Sequence, residues 1–129
     1  MKYLVLIYSN PVNWEHPMFL HQQETLAPDE RDAQLAEFSA LLTEIAESGE
    51  LVGSGALGDP ASARTLRNRD GVLTATDGPF IDAKEHLAGY FLLDCASGDR
   101  AAEIAARFPD TRHGAVEVRP VLEFADHLL

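Results

Sequence analysis

Between residues 76 and 90 the sequence runs TDGPFIDAKEHLAGY. The carboxylates of Asp77, Asp82 and Glu85, the ammonium of Lys84 and the imidazole of His86 crowd into this one stretch. If the stretch is extended, alternation puts Asp82, Lys84 and His86 on one side and Glu85 on the other. A carboxylate, a cation and an imidazole on one edge are the parts of an acid–base site. Asp82 or His86 would move a proton while Lys84 offsets negative charge developing on a substrate. The same set also makes a solvated charged edge that keeps neighbouring strands from pairing. Both alternatives stay open at this level.

Other residues join the list by position. Asp77 opens an Asp-Gly-Pro turn, where its carboxylate can accept backbone amides two or three residues on. Its structural role therefore comes first, and a direct ligand role second. Phe80 is expected as a core plug beneath that turn. LVGSGAL, residues 51–57, is a glycine-broken strand, and its glycines leave room for another backbone or a ligand beside Ser54. Glu117 and Arg119 alternate with Val116 and Val118, so they face water in an open sheet or line the interior of a closed one. There an arginine–carboxylate pair could hold an anionic substrate, with Tyr90 as a hydroxyl donor. The expected catalytic residues are thus Asp82, Lys84 and His86, and the expected ligand-binding residues are Asp77, Ser54, Glu85, Tyr90, Glu117 and Arg119. His16, His21, His113 and His127 show no metal-ligand spacing, and no metal or cofactor is expected. Trp14 and Phe19 anchor a loop or form a lid.

The elements that must position these groups follow from periodicity. Tyr3 to Tyr8 is a bulky, β-branched central strand. Pro11, Pro17 and Pro28 keep residues 9–28 a loop. Pro28-Asp29 then opens a helix with Asp29 as its cap. Leu35, Phe38, Leu42 and Ile45, with Leu41 beside them, form its apolar stripe, and Gly49 stops it. Asp70-Gly71 predicts a hairpin between strands near 63–68 and 72–76. Gly89 to Cys95 is a central strand. Ser97 or Gly98 begins a second helix that Pro109 ends, and Ala115 to Val121 is a last strand near an edge. Strand, helix, strand, inserted hairpin, strand, helix, strand is one α+β domain over residues 1–129. It is a ferredoxin-like four-stranded antiparallel sheet with both helices on one face. Tyr3, Val5 and Ile7 fall on one side of the first strand, Leu4 and Leu6 on the other. The second face therefore needs a cover, and a second copy of the sheet supplies one: a homodimer is expected.

The bulk numbers fit a single such domain: 129 residues, 46% of them hydrophobic. A net charge of −11 and a pI near 4.7 oppose non-specific binding to nucleic acid or to an anionic membrane surface. MKYLVLIYSN is too short in its apolar part for a secretory signal, and no run is long enough to span a bilayer. A cytoplasmic protein is expected. Cys95 is the single cysteine, expected as a buried thiol.

MKYLVLIY, GSGALGDPASARTLRNRDG, TDGPFIDAKEHLAGYFLLD and GAVEVRPV together resemble the DGPF-type proteins of the YCII-related family. The likeness spans nearly the whole chain apart from residues 10–28 and the last eight. The resemblance implies a dimeric α+β barrel. It also implies relatives encoded beside, or fused to, extracytoplasmic-function sigma factors, and some enzymes, one of which removes chloride from a chlorinated aromatic ring. Asp82 and His86 depart from the glutamate and glutamine common at those family positions. These expectations leave two functional classes: a cofactor-free acid–base enzyme of isomerase or lyase type acting on a small carbonyl or ring-shaped molecule, and a non-catalytic small-molecule-binding or accessory dimer linked to a regulatory system.

Overall fold

The computed structural model describes residues 1–10, 27–81 and 85–123. Its elements are β1 (Lys2–Ser9), α1 (Pro28–Glu47), β2 (Leu51–Ala56), β3 (Arg64–Arg69), β4 (Val72–Asp77), β5 (His86–Asp94), α2 (Gly98–Ala106) and β6 (Ala115–Pro120). β2, β5, β1 and β6 lie side by side in that order, every neighbouring pair antiparallel, and β3 pairs only with β4 in a separate ribbon. With the ribbon set aside, this is the ferredoxin-like arrangement expected from the element order.

Alternation in β1 decides which face is core. Tyr3, Val5, Ile7 and Ser9 are buried, while Leu4, Leu6 and Tyr8 are half-buried. The buried side meets Phe38, Leu41 and Ile45 of α1 and Ala101, Ile104 and Ala105 of α2. Phe38, Phe91 and Phe108 meet edge to face, with ring centroids 5.0 to 5.9 Å apart. That geometry places the positive ring edges against negative faces and adds to the gain from burial. Asp70 (φ 53°) and Gly71 (φ 82°) form the left-handed pair that the Asp-Gly signal requires in a two-residue hairpin turn.

Several expectations shift. Asp29 is not the cap of α1: Ala27 is, with no side-chain hydrogen bond, and Pro28 supplies the first helical residue. The buried face of α1 is Gln34, Phe38, Leu41 and Ile45, while Leu35 stays 36% exposed. The helix turns this way because the Gln34 side chain pairs with His113, Oε1 to Nε2 2.9 Å. α2 ends at Ala106, before Pro109, which instead starts a 3-10 turn (Pro109–Arg112). β5 begins three residues earlier than expected, at His86, opposite Ser9.

Two polar devices tie the start of α2. Ser97 caps it by accepting the Arg100 amide at 3.2 Å. The Arg100 guanidinium holds Glu50 through two bonds of 2.8 and 2.9 Å, and these, with the Ser48 hydroxyl, bring the Glu50 carboxyl down to about 2. Ser97→Ala is expected to lower stability by about 1 kcal/mol, read from the urea midpoint, since one amide at the helix start loses its acceptor. An unchanged midpoint would remove the cap from the list of stabilising contacts. Cys95 is buried as expected, and burial, with Glu50 second, pushes its thiol up.

Candidate functional site

The chemistry-bearing residues fall into two groups. One is a cleft of about 340 Å³ at the end of the sheet, where the turn after β2 meets the start of β5. Its walls include Leu57, Asp59, Pro60, Pro79, His86 and Leu87. The Asp59-Pro60 step builds one wall: Asp59 Oδ1 accepts the Ala61 amide at 2.9 Å and caps the short 3-10 turn Pro60–Ser62. β5 builds the opposite wall, with the His86 imidazole half-buried in it. An imidazole set among proline, leucine and alanine in an open cleft can exchange a proton with a bound molecule.

The second group lies on the sheet face that the helices leave open. Across neighbouring strands, Gly55, Tyr90, Leu6 and Glu117 form one row, and Gly53, Leu92, Leu4 and Arg119 the next. The Tyr8 hydroxyl donates to Glu117 Oε1 at 3.3 Å. Burial, then the neighbouring Glu117, raises the Tyr8 hydroxyl above its ordinary value, with Arg119 pulling the other way. The Tyr90 ring leans across Gly55, where a Cβ would come within 2.7 Å of its hydroxyl oxygen. The space left by this glycine is therefore taken by Tyr90 rather than by a ligand.

The structure thus brings Tyr90, Glu117 and Arg119 onto one face, puts His86 in a cleft, and separates the rest. Ser54 opposes Phe91, so it shares the helix side of the sheet and does not join Tyr90. Asp77 ends β4 opposite Arg64, exposed, and its carboxylate accepts none of the described hydrogen bonds. The turn it opens is closed instead by the Gly78 amide to the Ala63 carbonyl (2.7 Å) and by the Thr65 hydroxyl to the Gly78 carbonyl (2.9 Å). Glu85 is exposed just before β5. Asp82 and Lys84 lie outside the described residues, as do His16, His21 and His127, and Trp14 and Phe19. Phe80 is not a core plug: it is 64% exposed, with the Arg67 guanidinium 4.5 Å above its ring. Tyr8 and Asp59 were absent from the expected list. The signal for Tyr8 was its place in step with Leu4 and Leu6, and that for Asp59 was an aspartate directly before a proline. Among the described residues no three histidine, cysteine, aspartate or glutamate side chains gather around a metal-sized point, and no helix is long and apolar enough to cross a membrane.

An antiparallel four-stranded sheet with two helices on one face, an open second face and a cleft at its end defines an α+β protein of the ferredoxin-like kind. Within that class the chain belongs to the YCII-related domain family, whose profile matches residues 1–125. A Rhizobium meliloti (strain 1021) relative, "Uncharacterized protein R00369", is 35% identical over 95 residues, 72% of this chain and 77% of its own. Among solved structures, 5-chloro-2-hydroxyhydroquinone dehydrochlorinase (TftG) from Burkholderia phenoliruptrix AC1100, in complex with 2,5-dihydroxybenzoquinone, aligns over 98% of both chains. The identity there is 16% and the TM-score 0.47.

Proposed function

We propose that the chain is a cofactor-free acid–base enzyme of the isomerase or lyase type, acting on a small carbonyl-bearing or ring-shaped molecule held in the cleft at the start of β5. The observation that supports this is the half-buried His86 imidazole set in the apolar wall of that cleft. The cleft volume lies at the small end of the range for organic ligands, which suits one ring and its substituents. His86 would carry the proton, and the exposed edge of Asp59 would meet a hydrogen-bond donor on the substrate. Two copies would pair through the open face, where Leu4, Leu6 and Leu92 keep part of their surface exposed.

A panel of small ketones, enones and phenols, first ranked by ligand-detected NMR, tests the reading. Binders that compete for one site should be turned over by the parent. His86→Gln should keep their affinity and lose about 100-fold or more in kcat, the usual contribution of a general acid or base. A variant as fast as the parent would end the catalytic role of His86. Binding without turnover in the parent would favour the non-catalytic binding dimer.

A further inference from the structure

We infer that the turn Pro109–Arg112 is a proton-operated latch on the end of the sheet, closed while Asp110 keeps its proton and opening locally when Asp110 gives it up. The inference rests on the cleft reading above and adds a control to it. The turn joins α2 to β6 and packs against β1 and β6. Just past it, Gly114 lies so close on β1 that a Cβ there would run into the Tyr8 carbonyl. The His113 and Gly114 amides both donate to the Asp110 backbone carbonyl. One residue therefore holds the turn shut through its backbone. Its side chain is a buried carboxyl with neither oxygen hydrogen-bonded among the described residues.

That carboxyl is the weak point of the closed turn. The titratable groups around it are engaged elsewhere. Tyr8 of β1 donates to Glu117 of β6, with Arg119 nearby. Arg112 of the turn pairs with Glu37 of α1 at 3.8 Å, and the His113 ring with Gln34 of α1. A neutral carboxylic acid can stay in such a place, but an anion there has lost its water and gained no partner. Swinging the turn outward returns the carboxylate to water and opens two backbone bonds that water can also satisfy. The proton decides which arrangement wins.

The opening reaches the cleft through β1. Ser9, the last residue of that strand, is buried and stands opposite His86 in the cleft wall. The strand end that Gly114 presses on is thus the one that backs His86. Freed, it lets the start of β5 move, so the cleft is firmer in acid and looser at neutral pH.

Amide hydrogen exchange on the full chain, read by NMR and corrected for the intrinsic pH dependence of exchange, tests the latch. The His113 and Gly114 amides should exchange faster than those at the centre of β1. Their opening should grow by nearly tenfold per pH unit from pH 5 and level off above about pH 7. The Leu57 amide, which donates to the Ala88 carbonyl of β5 at 2.8 Å, should follow them. Asp110→Asn keeps the shape without a proton to lose, so the same amides should stay slow and flat with pH. Turn amides that open only in step with the centre of β1 would overturn the latch from the parent alone. So would a pH-dependent rise that persists in Asp110→Asn. A Leu57 amide that ignores pH while Gly114 responds would overturn the link to the cleft. His86→Gln should leave the whole profile in place, so the latch and the catalytic reading fail separately.

Discussion

Asp110→Asn is expected to stabilise the folded chain at about pH 8 by several kcal/mol, up to roughly 4. Asp110 sits in the 3-10 turn before β6 and is 1% exposed. Its backbone carbonyl accepts the His113 and Gly114 amides, at 3.2 and 2.9 Å. Among the described residues neither carboxylate oxygen has a hydrogen-bond partner. Burial pushes the carboxyl up to about 7 from an ordinary value of 3.8. The sign follows from proton counting. Between these two values the unfolded chain has released its proton while the folded chain still holds one, so stability falls as pH rises through that window and stays low above it. Glu50 acts in the opposite sense. Its carboxyl is lowered to about 2 from 4.5, so the stability it contributes is complete above the higher value and is lost only as pH falls below it. The parent should therefore be most stable near pH 4, where the two windows overlap. Urea midpoints across this range check it: the asparagine variant should lose the decline between pH 5 and 7, and a decline that persists unchanged would rule out Asp110 as its source.

Leu6→Lys is expected to turn a dimer of this chain into a monomer at micromolar concentration. Leu6 stands between Tyr90 on β5 and Glu117 on β6. On the open face of a single chain the lysine reaches Glu117 and water, so the fold tolerates it. Against a second sheet the same ammonium is taken out of water opposite leucines, a loss of about 2 to 4 kcal/mol and so about 30- to 1000-fold in affinity. Sedimentation equilibrium with a thermal melt separates loss of pairing from loss of fold. A variant as dimeric as the parent would mean that the half-covered leucines face something else.

Much of this fold was legible because one signal dominates it. In β1 and β5 the large apolar residues are in step with the sheet, and Asp70-Gly71 has few other uses than a tight hairpin turn. What escaped depends on the approach of distant segments. Gln34 is buried with its side chain against His113, and nothing near Gln34 in sequence says so. The cleft exists because residues 57–63 come against 86–87, which pattern along the chain does not show. Phe80 looked like core from its type, yet its neighbour is the exposed guanidinium of Arg67. Asp110 looked like ordinary turn chemistry, but the 3-10 turn folds its carboxylate inward. Of the expected site residues, Tyr90, Glu117 and Arg119 were placed together by strand alternation alone. Asp77 and Glu85 were grouped by nearness in sequence and lie apart from that face, and Ser54, expected beside Tyr90, is turned to the other side by the pleat.

The central strand of the sheet has its own consequence for biosynthesis. β1 pairs with β5 and β6, both of which are made after it. On a ribosome adding about 5 to 20 residues per second, β1 leaves the exit tunnel several seconds before β5. During that interval the most apolar strand of the protein is a free edge on both sides. α1 and the β3–β4 hairpin, whose contacts are local, can form while it waits, but the sheet cannot. The nascent chain should therefore engage chaperones until β5 is out, and folding should be slow for a domain of this size because its first strand closes last.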